Sequence, residues 1–105
     1  TWAKSKGILD KATPLTQHSK TQEEVNELFE ALFAQQNDLQ YFTNSKDVIC
    51  GTHAEIEDAI GDILVTLLIQ CKIQNLNPLE CLESALNVIE KRTGTMKGGV
   101  FCKDQ

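Results

Sequence analysis

Two groups of acidic residues stand at spacings that an α-helix would gather onto one edge. Each helical residue advances about 100°, so positions three and four apart share a face. Lys20, Glu23, Glu24 and Glu27 would then occupy an arc roughly 100° wide, and Glu55, Asp58 and Asp62 one roughly 60° wide. Each helix would carry an acidic edge beside its apolar stripe, and antiparallel packing through the stripes would let the edges converge. Four or more carboxylates brought together repel one another unless a proton or a cation intervenes. Hard oxygen ligands without cysteine or histidine suit Mg²⁺, with Mn²⁺ as a substitute, and such an ion polarises phosphoryl groups and acidifies bound water. The competing reading of Glu23, Glu24 and Glu27 is a solvated helix face, because glutamate is a common surface helix former. Asp58 and Asp62 weigh against it, since aspartate is a poor residue for a helix interior. The residues alone leave both readings open.

Cations near such a site would clamp phosphate oxygens, which makes Lys20, Lys91, Arg92 and Lys97 candidates, with Asn87 as a possible contact to sugar or phosphate. Lys91 and Arg92 also fall near a helix C-terminus, where the macrodipole favours cations without any ligand. Trp2 could stack on a base, although a lone tryptophan near a terminus more often serves packing. His18 and His53 read as surface residues.

The elements that must position these groups are helical. Residues 1 to 12 form a lead-in, and Thr13-Pro14 supplies an N-cap and a first-turn proline for a helix to about Gln35. Its apolar positions are Leu15, Val25, Leu28, Phe29 and Leu32. Asn37 to Gly51 shows no clean period and reads as a connection with room for a short helix. Thr52 with Glu55 three residues later has the capping-box pattern and begins a second helix to about Gln74. Ile60, Ile63, Leu64, Leu67, Leu68 and Cys71 make its apolar stripe broad enough to predict burial on more than one side. Asn77 caps a third helix beginning at Pro78, carrying Leu79, Leu82, Leu86 and Ile89 and ending near Gly94. The tail, with Gly98-Gly99 before Val100-Phe101, could form an extended arm. The expected class is all-α, an antiparallel helical bundle of about three to five helices.

Length and composition bound the rest. The 105 residues predict a single domain, residues 1 to 105, with a modest core, so oligomerisation is expected to complete the bundle. A formal charge of −5 argues against a protein that works by neutralising nucleic-acid phosphates. The longest apolar run, Ile63 to Ile69, is interrupted by Thr66 and too short to span a bilayer. No basic region followed by an apolar block opens the chain, so no signal peptide is expected. Cys50, Cys71, Cys81 and Cys102 lack zinc-ligand spacing and read as reduced thiols of a cytoplasmic protein.

Three separated segments in order carry a family resemblance. E-E-V-N-E-L at Glu23 to Leu28, D-A-I-G-D-I-L at Asp58 to Leu64, and N-V-I-E-K-R-T-G-T-M-K-G-G-V-F at Asn87 to Phe101 resemble MazG-like nucleotide pyrophosphohydrolases, in particular compact phage and prophage members. The likeness covers most of the chain from about Gln17 onward. It implies Mg²⁺-dependent hydrolysis of a nucleoside triphosphate to its monophosphate and pyrophosphate, in a homodimer or homotetramer. By position, Glu24, Glu27 and Asp62 match the family's metal ligands, and Glu23 matches the glutamate that orients or deprotonates the attacking water. The family's E-x-x-D would place glutamate three residues before Asp62, where this chain has Ala59. Asp58 can supply the missing carboxylate, with Glu55 peripheral, or Glu55-x-x-Asp58 can form the motif with Asp62 added. Alternatives are a dUTP or dCTP pyrophosphatase of narrower taste, and a catalytically silent helical module that binds a nucleotide or a protein.

Overall fold

The computed structural model describes residues 11–103. The chain divides into two compact units, one ending at Asn75 and the other beginning at Leu76. The first consists of helix α1 (Pro14–Gln36), strands β1 (Tyr41–Thr43) and β2 (Ile49–Gly51), and helix α2 (Thr52–Ile73). The second consists of helix α3 (Pro78–Glu90) and strands β3 (Gly94–Lys97) and β4 (Val100–Lys103). The protein is thus mostly helical but not all-α. The lead-in through residue 10, with Trp2, lies outside the described residues.

Helix α1 begins where the sequence places it. Thr13 has extended backbone and its Oγ1 accepts from Thr16 N, while Thr16 Oγ1 accepts from Thr13 N at 2.8 Å. Threonine here takes the third-position role that glutamate or glutamine usually fills in a capping box. Helix α2 departs from expectation. Gly51, not Thr52, is its N-cap, and no side chain caps it. Thr52 is instead buried and donates its hydroxyl to Leu39 O at 2.7 Å, tying the start of α2 to the chain that leaves α1.

The connection between these helices is a β-hairpin rather than a loop with a short helix. Tyr41 pairs with Gly51, Phe42 with Cys50 and Thr43 with Ile49. Its tip is a three-residue loop closed by Asn44 N to Val48 O at 2.9 Å and Asp47 N to Asn44 O at 3.0 Å, with Asp47 at φ 60°. Asparagine and aspartate tolerate such positions, and Asn44 Oδ1 adds bonds from Lys46 N and Val48 N. The tail is also a hairpin, with Gly94 opposite Lys103 and Lys97 opposite Val100. Gly98 and Gly99, both at positive φ, form the two-residue turn that β-sheet twist favours.

Helices α1 and α2 run antiparallel. Gln17 Nε2 donates to Thr66 O at 3.0 Å, and Gln70 Nε2 to Pro14 O at 2.9 Å. Their seam is made of small and polar residues: Gln17, Glu24 and Ala31 on α1, and Thr52, Ala59 and Thr66 on α2, all buried. Both sets recur every seven residues, the period that keeps one face of a helix against its partner. The large apolar residues lie elsewhere. Val25, Phe29, Leu32, Ile60, Leu64, Leu67 and Leu68 are exposed in the single chain, and no large side chain is fully buried among the described residues. The broad stripe of α2 is therefore not buried within this chain. Alanine, threonine and glutamine allow the two backbones to approach closely, which leaves the bulky side chains turned outward.

Candidate metal centre

Small-residue packing changes where the carboxylates sit. Glu24 is not on an edge beside the interface, as equal packing of apolar stripes would have placed it, but in the seam itself, only 7% exposed. One carboxylate oxygen each from Glu24, Glu27 and Asp62 lies within 4.8 Å of the others, a donor set able to hold a metal ion. Glu24 and Glu27 come from one face of α1, and Asp62 comes across from α2.

Glu24 Oε1 is paired with Lys20 Nζ at 3.3 Å, but its buried Oε2 has no hydrogen-bond partner among the described residues. Its neighbour Glu27 is another acceptor, so only a proton or a cation can join the two. Burial, and then the nearby Glu27, push the Glu24 carboxyl above its ordinary value of 4.5. Glu27 is held below that value by its partnership with Glu24 and by Lys46, whose Nζ is 2.9 Å from Glu27 Oε1. A buried glutamate with an orphaned oxygen, in an oxygen-only donor set, fits a hard divalent cation and offers no preference for a soft one.

Glu55 and Asp58 differ in setting. Glu55 is partly buried, and burial together with the charges of Asp58, Glu27 and Asp62 raises its carboxyl. Asp58 is exposed and stands outside the three-residue cluster. Ala59, where the resembling family carries glutamate, is fully buried in the seam. A side chain there would have to enter the helix interface.

Glu23 stays at the exposed rim. Lys46 at 3.3 Å and Lys20 at 3.4 Å pair with it and hold its carboxyl below the usual range. Burial is the largest single influence on the Lys20 ammonium and lowers it, but Glu24 and Glu23 together outweigh this and raise it. Beside the cluster opens a cleft of about 390 Å³ lined by Gln17, Lys20, Glu24, Asp62, Val65, Thr66 and Ile69. The cleft is thus lined by two acids and a lysine together with the apolar Val65 and Ile69.

The remaining candidates belong to the second unit. Asn87 lies on α3, Lys91 caps its C-terminus, Arg92 follows it, and Lys97 ends β3; all four are exposed. His18 and His53 are exposed, as read from the sequence. Sequence reasoning missed Lys46, because it lies in a segment without period and reaches Glu23 only through the hairpin fold. It also missed Gln17 and Thr66, whose seven-residue relation to Glu24 and Ala59 is the signal that would have found them.

Comparison with protein-family models, with curated proteins and with solved structures yields no match to this chain. The functional reading therefore stands on the geometry and on the motif resemblance.

Proposed function

We propose that the protein is a Mg²⁺-dependent nucleoside triphosphate pyrophosphohydrolase of the MazG-like kind. One observation carries the reading: a buried glutamate with an unpartnered oxygen, grouped with Glu27 and Asp62, beside a cleft that Glu24 and Asp62 line. A divalent cation held by Glu24, Glu27 and Asp62 would supply positive charge for phosphate oxygens and acidify a bound water. Mn²⁺ would serve in place of Mg²⁺.

In the reaction, water oxygen forms a bond to phosphorus, the bond to the departing pyrophosphate oxygen breaks, and the water loses a proton. The family resemblance points to the α-phosphorus. Glu23 stays ionised because Lys46 and Lys20 face it. That suits it to orient the attacking water by accepting a hydrogen bond more than to store a proton. Glu55, whose carboxyl is raised and which lies near Glu27 and Asp62, is better tuned to accept the proton. Lys20 lines the cleft and is placed to meet phosphate oxygens. Asn87, Lys91 and Arg92 are proposed substrate contacts on their residue types alone. The apolar faces of α1 and α2 are proposed to be covered by a second copy of the chain, giving a homodimer or homotetramer, and the compartment is proposed to be the cytoplasm. No helix among the described residues is long and apolar enough to cross a membrane.

A second reading has its own observation. Lys20 and Lys46 make four ion pairs with Glu23, Glu24 and Glu27, so the cluster is partly neutralised without any metal. On that basis the chain would be a silent nucleotide- or protein-binding module. Pyrophosphate release from a panel of ribo- and deoxyribonucleoside triphosphates, dUTP and dCTP included, separates the two readings. Release with Mg²⁺ that chelator abolishes supports the enzyme; no release with any nucleotide supports the module.

A further inference from the structure

We propose that Lys46 is a displaceable counter-ion of the acidic cluster, leaving Glu27 when a divalent cation binds and then pairing with the phosphate oxygens of the nucleotide that accompanies it. The inference rests on the reading of Glu24, Glu27 and Asp62 as a cation site. It assigns a substrate-binding role to a residue outside all the motifs.

Lys46 differs from Lys20 in how it is held. Lys20 is on α1 itself, three and four residues before Glu23 and Glu24, and its pairs are local. Lys46 comes from the tip of the β1–β2 hairpin, and its backbone is set by the Asn44 turn. The same tip is anchored to α1 by Ser45 N donating to Glu30 Oε2 at 3.4 Å. Its Nζ then lies 2.9 Å from Glu27 Oε1 and 3.3 Å from Glu23 Oε1, on the solvent side of the cluster. The Lys46 side chain remains 58% exposed, whereas that of Glu27 is 19% exposed. The hairpin thus parks a tethered, solvent-accessible ammonium against a candidate ligand.

Charge balance gives the exchange its direction. Glu23, Glu24, Glu27 and Asp62, with Glu55 near the last two, meet two lysines among the described residues, Lys20 and Lys46, so the cluster keeps a net negative charge that a divalent cation would offset. Once a cation shares Glu27, the attraction that holds Lys46 there is largely spent. An ammonium on a flexible four-carbon stem then has three donors to offer, and a triphosphate beside it is the strongest available acceptor. The orphaned Glu24 oxygen is the independent sign that the cluster is built for a cation beyond the two lysines.

The test measures two affinities by calorimetry in the full chain, for wild type, Lys46→Gln and Lys46→Arg. The first is for Mg²⁺ alone, and the second is for a non-hydrolysable triphosphate with saturating Mg²⁺. Loss of a competing cation should let Lys46→Gln bind Mg²⁺ about two- to fivefold more tightly, the scale of an exposed ion pair. Loss of a phosphate partner should weaken triphosphate binding on the order of tenfold, with Lys46→Arg restoring most of it. Opposite signs in the two measurements support the proposal, since a merely structural lysine would weaken both or move neither. If wild type binds Mg²⁺ and Lys46→Gln changes neither affinity, or shifts both in the same direction, Lys46 is a passive surface partner and the proposal is overturned while the cation site stands. If wild type binds no Mg²⁺ at all, the cation site fails and the Lys46 proposal goes with it.

Discussion

At the scale of the residue, Glu24 carries the most information. A carboxylate buried against another carboxylate is unfavourable in the metal-free chain, and the resulting rise in its pKa has a definite sign for stability. Below the ordinary value of 4.5 Glu24 is protonated whether the chain is folded or unfolded, and its contribution is fully present. As pH rises through the higher folded-state value, that contribution is lost. Glu24→Gln keeps the shape, replaces the orphaned oxygen's surroundings with an amide able to donate to Glu27, and does not titrate. In chelator at pH 7.5 its Tm should therefore exceed that of wild type by about 2–5 °C, with the two converging near pH 4. Thermal melts at both pH values check this, and a wild-type advantage at pH 7.5 would refute it. The same substitution should abolish any Tm increase on adding Mg²⁺, because the donor set loses a charge. Glu27→Gln and Asp62→Asn should each lower pyrophosphate release at least a hundredfold, the usual scale for removing a group that stabilises the reacting charge. Wild-type turnover surviving both would remove the proposed site.

At the scale of the element, the α1–α2 seam decides the geometry. Ala59 is fully buried where two helices meet through small residues, so added volume has nowhere to go. Ala59→Leu should cost about 1–3 kcal/mol in a denaturant titration by forcing the helices apart. It should also weaken Mg²⁺ binding, because Asp62 reaches Glu24 and Glu27 only across that seam. In the second unit, Gly94 faces the Cys102 carbonyl so closely that a methyl group there would collide with backbone. Gly94→Ala should break the β3–β4 hairpin, visible as loss of amide protection at Thr95 and Lys97 in hydrogen exchange, while leaving α1 and α2 unaffected. The tail is a hairpin where the sequence predicts an extended arm, although two adjacent glycines supply positive φ for its turn at no steric cost. The β1–β2 hairpin was not legible in the sequence either. Its strands are three residues each, too short to show alternation, and its loop depends on Asp47 adopting a conformation that the residue type permits but does not demand.

At the scale of the whole molecule, the outward apolar residues dominate. Phe29 is 66% exposed and Leu64 57%, with Val25, Leu32, Ile60, Leu67 and Leu68 also exposed on the same two helices. Patches of this kind are rare on a protein that works as a single chain and commonly mark an interface. A second copy of the helix pair would bury them as a bundle core. Light scattering should give a mass of at least two chains at micromolar concentration, and Leu64→Glu should shift it toward the monomer. A wild-type chain that stays monomeric and fully active would show that the apolar face has no part in completing the site.

Much of this protein was settled by local sequence. Thr13-Pro14 and Asn77-Pro78 set the starts of α1 and α3, because capping oxygens and proline geometry act within three residues. Helical spacing put Glu24 beside Glu27, because both lie on one turn-to-turn face. Tertiary structure alone decided which face of each helix met the other. Both helices offered a bulky apolar stripe and a seam of small and polar residues, and periodicity favours the stripe. Close approach through alanine, threonine and glutamine selected the seam instead. That choice buried Glu24, brought Asp62 across to it, left Asp58 in solvent, and let a hairpin fold Lys46 onto Glu27. Lys46 and Glu27 stand 19 positions apart; contacts at such separations depend on how a chain turns back on itself, and no local propensity encodes that.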